Sequence, residues 1–443
     1  MATWTPVVIN NVEGCYLENL GRFGYNDPHS CTNGPFKDKT PLVSIDLNYM
    51  PCKVTTQTGS SSYNPTYTYY DNRMDRYFEC TTTSYQNNSR LTQVYNINND
   101  VTSLYSTFYG CKKLNYLSNL PSSLVDMEAA FYGCVSLTTL PNIPASVTNA
   151  YGSFTNCTGL VNPPTFSGTN IDGRYTFSGC TNLTSTPDIS KFSKLDYTFQ
   201  NCTNLTTING NFNSNITNLI QTFYYCTSLT GTIPPIPANV TSIRQAFVWS
   251  KITSYSFSQN NSPVDMFSAF TNCKDLVTAD VNNASNLSQT FGGCSSLISC
   301  TGTINPNCTS MYSTFSNCTS LISSPVLPNG LLDMGSTFNG CTSLAVAPEI
   351  PVNVTSMGYT FYGCTALTGN VIIRSENISN VSNIFANTTL TKYVYIPYES
   401  WIDDGMGGQT VGPSTTYTSF INAGYDENGT KEGVYLRDLA TLQ

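Results

Sequence analysis

The chain has 443 residues, of which 10% are charged and 12% aromatic, and its net charge is −8. This composition excludes an intrinsically disordered chain, because enough apolar surface can be buried to offset the entropy lost on folding. The 19 basic residues are spread thinly, without a run, which excludes nucleic acid as a partner and makes an anionic membrane surface an equally poor one.

The N-terminal segment has neither the positive stretch nor the apolar core nor the cleavage site of a secretory signal peptide. No part of the chain reaches the roughly 18 to 20 consecutive apolar residues of a membrane span. We therefore expect synthesis in a cytoplasm without membrane insertion. We also expect the 17 cysteines to be reduced thiols rather than a disulfide framework.

Residues 1–100 carry turn-rich segments at 26–28 and 59–62 and strand-like runs at 67–70 and 74–80. This pattern predicts a small β-rich N-terminal domain that caps the remainder of the chain and attaches it to a partner, with a boundary near Asn99 and Asp100.

A phenylalanine then recurs thirteen times at intervals of 21 to 24 residues. The column is Phe108, Phe131, Phe154, Phe177, Phe199, Phe223, Phe247, Phe270, Phe291, Phe315, Phe338, Phe361 and Phe385. In eleven copies a Cys follows after three residues and a Leu after six. The copies at Phe247 and Phe385 lack that Cys and bring their aliphatic residue, Ile252 or Leu390, forward by one. A deletion beside a lost Cys indicates that the thiol braces a turn.

Apolar residues seven and four places before the phenylalanine predict one face of a two-turn helix. An asparagine such as Asn239 or Asn353 precedes this segment and is expected to cap it. The stretch after the Cys, often closed by Pro as in residues 137–141 and 344–348, predicts a short strand. Such units must stack to bury their apolar faces. We predict an α/β solenoid of about thirteen units over residues 101–391, with a parallel β-sheet face.

Residues 351–357 and 360–367, the latter reading Thr-Phe-Tyr-Gly-Cys-Thr-Ala-Leu, resemble the BspA-type leucine-rich repeats of bacterial surface proteins and the related repeats of mycoplasma lipoproteins. The resemblance covers residues 100–400. It implies a right-handed leucine-rich solenoid and, usually, adhesion or recognition. The secretion signal, lipobox and wall anchor of such proteins are missing from this sequence.

Beyond Phe385, residues 393–397 predict a last strand, followed by a Gly-rich loop at 405–412 and a segment at 417–436. Because a terminal unit must cover the open apolar end of a stack, residues 392–443 are predicted to be a C-terminal cap. Residues 419–424 and 433–436 resemble the tails of phage-encoded proteins that carry such repeats.

The cysteine column raises the alternatives of a zinc or redox array and of a packing device. It places one thiol on each unit, and no Cys-x-x-Cys pair occurs. Cys308 and Cys300 stand where other copies have Val and Leu, which favours buried packing. The only histidine, His29, is interpreted as an exposed loop residue rather than a catalytic base.

We predict no enzyme and no catalytic, metal or cofactor site. The acidic residues Asp126, Asp188, Asp265 and Asp333 are interpreted as few and non-periodic, unlike the paired carboxylates of a glycoside hydrolase. Sequon asparagines such as Asn156 and Asn201 are interpreted as turn residues. The ligand-binding residues stay unknown, although Thr138, Thr184 and Thr206 are candidates as exposed strand residues.

Two functional hypotheses remain. The favoured one is a bacteriophage virion component, such as a tail fibre, spike or capsid decoration, because cytoplasmic assembly needs no export signal. It would contact other virion proteins through residues 1–100, bind a bacterial surface protein or glycan, and could form a homo-oligomer. Its Tyr-, Asn- and Thr-rich surface suits stacking on sugars and hydrogen bonding to them. The alternative is a cellular BspA-like adhesin or protein-interaction scaffold at the cell surface.

Overall fold

The structure is a computed structural model that describes residues 4–9, 12–17, 22–24, 44–46, 91–258, 262–388, 392–403, 409–429, 431 and 434–442. Side chains are described for residues 91–258, 262–388, 393–399, 411–429, 431 and 434–442. The chain divides into two compact units, Met1–Asn213 and Ser214–Gln443. The predicted strands at residues 67–70 and 74–80, and His29, lie outside the described residues.

The first unit begins with an antiparallel sheet and continues in parallel pairs. Its strands are β1 (Trp4–Ile9), β2 (Val12–Leu17), β3 (Arg22–Gly24), β4 (Ser44–Asp46), β5 (Gln93–Tyr95), β6 (Tyr116–Leu117), β7 (Ile171–Asp172), β8 (Ser185–Asp188), β9 (Phe192–Lys194) and β10 (Thr207–Asn209). Strands β1, β2 and β3 form an antiparallel meander. Strands β4, β5 and β6 are parallel neighbours, as are β7 with β9 and β8 with β10. A 3-10 helix, Ile189–Lys191, joins β8 to β9.

The second unit is built in the same way and ends in a mixed segment. Its elements are β11 (Thr230–Thr232), β12 (Lys251–Ser254), β13 (Val264–Asp265), β14 (Thr278–Asp280), β15 (Ala284–Asn286), β16 (Ser299–Thr301), β17 (Val371–Ile372), β18 (Lys392–Ile396), β19 (Glu399–Asp403), β20 (Gln409–Pro413), α1 (Thr415–Asn422), β21 (Val434–Asp438) and the 3-10 helix Leu439–Thr441. Parallel pairs join β11 to β12, β13 to β15 and β14 to β16. Strand β18 lies between β17 and β21, whereas β19 and β20 form an antiparallel hairpin.

Both units repeat one backbone pattern, which we number from the phenylalanine of each turn as position 0. Five such turns lie in the first unit and eight in the second. Successive turns make parallel bridges at position −5, as between Asp126 and Asn149 or between Ser310 and Asp333. Short parallel strands such as β14 and β16 also pair successive turns, at positions +8 to +10. The predicted solenoid with parallel β pairing is therefore confirmed.

The helix predicted within each repeat is wrong. In all thirteen turns the residues at positions −2 and +2 have positive φ, from 49° to 78°, so right-handed helical geometry is interrupted twice within five residues. The N–H groups of Ser106 and Phe108 donate across to the carbonyl oxygens of Glu128 and Ala130 in the next turn, each at 2.8 Å. Apolar spacings of three and four residues fit these stacked turns as well as they fit a helix, which is why the periodicity misled.

Two further local predictions, the asparagine caps and the short strands, also differ from the structure. The side-chain amides of Asn239 and Asn353 donate to carbonyl oxygens of the preceding turn, at 3.0 and 2.8 Å, and so tie turns together rather than cap helices. The predicted strands are correct only in part, since no strand covers residues 137–141 or 344–348. Pro141 and Pro348 lack the N–H that a ladder needs.

The core of each unit is a set of columns that run from turn to turn. The phenylalanines are fully buried, and adjacent rings within a unit stack with centroids 5.3 to 5.7 Å apart. Beside them, position −1 is often a buried threonine whose hydroxyl donates to the carbonyl at position −4 of the preceding turn, as Thr337 does to Met311 at 2.8 Å. In the second unit Tyr425 lies edge-on to the last ring, Phe385, at 6.1 Å.

Candidate functional site

The cysteine column at position +3 is part of this core. Nine of its thiols donate to the carbonyl oxygen of the phenylalanine in the preceding turn, with Sγ to oxygen distances of 3.0 to 3.2 Å. Burial raises the pKa of Cys157 and Cys273 to about 12, although hydrogen bonds partly oppose it. These thiols stay protonated and inside, which makes them packing groups and poor nucleophiles. Among the described residues, no three His, Cys, Asp or Glu side chains are grouped to hold a metal ion.

The two turns without the cysteine keep a hydroxyl in its place. Ser250 and Thr388 occupy position +3 and are almost completely buried. The Ser250 hydroxyl lies 3.3 Å from the Cys273 thiol, and the Thr388 hydroxyl donates to the Phe385 carbonyl at 2.7 Å. A small polar donor is therefore present at this position in every turn, and the deleted residue lies just after it.

The acidic residues are periodic, contrary to the sequence interpretation. Asp126, Asp265 and Asp333 all stand at position −5, where a carboxylate oxygen accepts the N–H of position −3 at 2.9 to 3.1 Å. Asn149 makes the same contact at 3.1 Å, so the position requires a short acceptor rather than a charge. Asp188 instead accepts from the Ser190 N–H at the start of a 3-10 helix.

One pair of carboxylates converges on a single side chain. The Asn149 amide donates to Asp126 at 2.9 Å and to Glu128 at 3.1 Å. Asp126 also accepts from the Ser103 hydroxyl at 3.1 Å and from the Glu128 N–H at 3.1 Å. These contacts give Asp126 a structural role in the turn.

The candidate threonines lie at position +7. Thr138 and Thr206 are exposed and Thr184 is half-buried. The Thr206 hydroxyl donates to the Thr184 carbonyl at 3.0 Å, and the Thr184 hydroxyl to the Val161 carbonyl at 3.1 Å. The hydroxyl protons of Thr184 and Thr206 are thus committed to the neighbouring turn.

A set of aromatic side chains that the sequence interpretation missed lies at positions −3, −2, +1 and +2, on either side of the buried positions −1 and 0. We call these positions the turn face. Its members are Tyr105, Tyr109, Tyr132, Tyr151, Tyr175, Tyr197, Tyr224, Tyr225, Trp249, Phe267, Tyr312, Tyr359 and Tyr362. Tyr109 stacks on Tyr132, and Tyr175 on Tyr197, each with centroids 4.5 Å apart. Their recurrence at these four positions beside the phenylalanine column was the available sequence signal.

Charged groups join the turn face at two places. In the first unit Asp172 accepts from Arg174 at 2.7 Å and from Lys194 at 2.9 Å, and the Arg174 guanidinium lies 5.3 Å from the Tyr151 ring centroid. Burial opposes ionisation of Asp172, but these hydrogen bonds outweigh it and hold its pKa below the ordinary value. In the second unit Arg244 contacts Asp265 at 2.9 Å and lies 4.5 Å from the Phe267 ring centroid.

A parallel solenoid of short turns with a leucine, cysteine and phenylalanine interior defines the class of leucine-rich repeat proteins. The chain belongs to the family described as the BspA type leucine rich repeat region, which matches residues 80–206, 168–277 and 288–401 in six copies. The predicted resemblance is therefore confirmed for the repeats.

Solved leucine-rich repeat proteins are similar to this chain at low sequence identity. A leucine-rich repeat protein of Bacteroides ovatus is 17% identical with a TM-score of 0.48, over 99% of this chain and 98% of that one. A leucine rich cell surface protein of Faecalibacterium prausnitzii is 19% identical with a TM-score of 0.41, over 88% of this chain and 94% of that one. A search of curated protein sequences found no match. Among the described residues, no helix is both long and apolar enough to span a bilayer.

Proposed function

We propose that this chain is a non-catalytic adhesin or protein-interaction scaffold that recognises a macromolecule at a cell surface through its turn face. The proposal rests on the aromatic series at positions −3, −2, +1 and +2, which a hydrogen-bonded backbone holds beside the buried phenylalanine column. Tyrosine, serine, asparagine and glycine dominate these positions, with Arg174, Arg244 and Trp249 among them. That combination is typical of recognition surfaces, because tyrosine supplies large contact area at low entropic cost while Trp and Arg supply strong anchors.

The cellular hypothesis agrees better with the family match than the virion hypothesis does. BspA-type repeats are associated with bacterial surface proteins, and nothing in the family match or in the fold supports a place in a virion. A partner attached through residues 1–100, and a homo-oligomer, stay predictions.

Adhesion of protein-coated beads tests the proposal. Beads carrying the full chain are incubated with epithelial cells and with intact bacteria, each left untreated, treated with protease, or oxidised with periodate to destroy glycans. We expect saturable adhesion to at least one untreated surface. Loss after protease would indicate a protein receptor, and loss after periodate a glycan receptor.

A double variant locates the contact. Tyr175→Ser with Tyr197→Ser removes a stacked pair from the turn face and is expected to lower adhesion. Tyr116→Ser is the matched control, since Tyr116 is a solvent-accessible tyrosine that lies on β6 outside the turn face. Coated beads that adhere no better than bare beads to every untreated surface would contradict the proposed function.

A further inference from the structure

Two bulky residues occupy a position that otherwise accepts only glycine and asparagine. Position +2 has a positive φ in all thirteen turns, and eleven of its residues are Gly or Asn. The exceptions are Tyr225, with φ 59°, and Trp249, with φ 65°, in consecutive turns. A bulky side chain in the left-handed region costs free energy, and at position +2 only these two residues carry that cost. The cost persists because the backbone ladder holds both residues, whose N–H groups donate to Val248 and Thr271 at 2.9 Å.

Burial does not offset this cost. Tyr225 is 37% exposed and Trp249 is 38% exposed, so a large part of each ring faces solvent. Strain that is kept without a packing gain points to a function of the side chains themselves. Trp249 also lies in a turn that departs from the repeat, since Ser250 replaces the cysteine and one residue is deleted before Ile252.

The rings in this region are arranged differently from the stacked tyrosine pairs. Tyr224 and Tyr225 have centroids 4.7 Å apart and are tilted by 46°, and Tyr225 and Trp249 are 6.1 Å apart and tilted by 41°. By contrast, the planes of Tyr109 and Tyr132 differ by only 5°, so each covers a face of the other. Because tilted rings do not fully cover one another, part of each aromatic face stays open to the C–H face of a ligand ring.

One cationic group lies over the Trp249 ring, and other polar side chains are close to it in sequence or in the next turn. The Lys274 ammonium lies 5.8 Å from the Trp249 ring centroid, and Lys251 follows Trp249 by two residues. Both lysines are exposed. A neutral amide, that of Asn272, stands at position +2 of the next turn. Aromatic faces, amides and ammonium groups together match the C–H faces, hydroxyls and carboxylate of an acidic sugar.

We infer that Tyr225, Trp249 and Lys274 form a binding site for an acidic glycan, a pyranose ring packing on the aromatic side chains with its carboxylate near the lysine. A protein partner fits less well, because lysine is depleted at protein interfaces, where arginine is enriched. The inference names a ligand class for part of the turn face and so rests on the proposed function.

Calorimetric titration of the full chain tests the site, with tetragalacturonic acid and sialyllactose as acidic probes and maltotetraose as the neutral one. We expect the acidic probes to bind more tightly than maltotetraose. Trp249→Asn should weaken binding of the acidic probes by about 30-fold or more, as expected for a hot-spot residue. Lys274→Gln should remove the preference for acidic probes.

The asparagine variant separates binding from folding. Asparagine stands at position +2 in five other turns, so Trp249→Asn should keep or raise the unfolding midpoint while binding is lost. Tyr116→Ser is the matched control, because Tyr116 is 43% exposed but lies on β6 outside the turn face, and glycan binding by this variant should be unchanged.

Three results would overturn the inference. The first is that no oligosaccharide binds the wild-type chain, and the second is that Trp249→Asn binds the acidic probes as tightly as the wild type. The third is that no sugar binds while protease-sensitive adhesion is lost in Trp249→Asn, which would make the site a protein contact. Sugar binding without adhesion of coated beads would instead reject the proposed function and leave the glycan site standing.

Discussion

The inside and the outside of one turn obey different constraints. Inside, position 0 is phenylalanine in all thirteen turns, and position +3 is always a small polar donor. Outside, position −3 is tyrosine, glutamate, arginine, aspartate, isoleucine, phenylalanine, serine or glycine in different turns. The interior columns therefore determine whether turns stack, whereas the turn face is left to vary and to recognise ligands. Changes inside should cost much stability, and changes outside little.

The largest effect should come from alkaline pH acting on the interior thiols. Burial raises the pKa of Cys157, Cys273 and Cys300 to about 12 from an ordinary 9.0. Since the folded pKa exceeds the unfolded one, each thiol's contribution is intact below pH 9 and is lost as the pH rises towards 12. Every pH unit within that window should remove on the order of 1 kcal/mol per thiol.

Urea midpoints at pH 8, 9 and 10 measure this loss. Cys157→Ser is the control, because serine already occupies this position at Ser250 and does not ionise in this range. The variant should lose stability less steeply with pH than the wild type. Equal slopes for the two proteins would show that Cys157 does not contribute.

Truncating an interior ring should come next. Phe315 is fully buried and stacks on Phe291 and Phe338, each with centroids 5.6 Å apart. Phe315→Ala should destabilise by about 3 to 5 kcal/mol. Tyr312 belongs to the same turn but lies on its outer side, so Tyr312→Ala should change stability by less than about 1 kcal/mol. Denaturation of both variants checks the difference, and similar losses would contradict the comparison.

Removing an interior hydroxyl should cost less than removing a ring. The Thr337 hydroxyl is buried and lies 2.8 Å from the carbonyl oxygens of both Met311 and Met334. Thr337→Val should destabilise by about 1 to 2 kcal/mol, because a buried acceptor loses its donor. Thr342→Val makes the same change at an exposed threonine whose hydroxyl donates to Thr319 at 3.2 Å, and should be nearly neutral. Urea denaturation of the two variants measures the difference.

An exterior ion pair should have the smallest effect. Asp172→Asn removes the charge that binds Arg174 and Lys194 but keeps an oxygen for the Arg174 N–H, as Asn149 does at the same position. The change should be below about 1 kcal/mol at neutral pH, because the cations are exposed. The pKa of Asp172 is lowered in the folded state, so this difference should vanish as the pH falls into the acid range. A larger loss at acid than at neutral pH would contradict this assignment.

The repeat and its interior could be predicted because buried positions demand one residue type in every copy. The local backbone could not be predicted from apolar spacing alone, since stacked turns and a helix share it. A better signal was the Gly or Asn one place before the Cys, as in Gly363 and Cys364. Position +2 is the third residue of the turn from the phenylalanine to the Cys, and its positive φ favours those two residue types.

The site was harder to find because exposed residues are free to differ between copies. An exposed strand position after the Cys makes Thr138, Thr184 and Thr206 candidates on sequence alone. In the structure the hydroxyls of Thr184 and Thr206 are occupied by neighbouring carbonyls. Tyr225 and Trp249 become conspicuous only when position +2 is known to be left-handed, since nothing in their residue type alone signals strain.

On the turn face, the backbone hydrogen bonds between turns run in one direction, from the N–H groups of one turn to the carbonyl oxygens of the next. Each turn therefore offers the same carbonyl acceptors to the preceding turn and the same N–H donors to the following turn, whatever side chains it carries on its outer side. Within a unit, a whole copy of about 23 residues can be duplicated, lost or exchanged without creating a mismatched junction. Recombination between copies would then reshuffle recognition surfaces while leaving the folding rules of the array untouched.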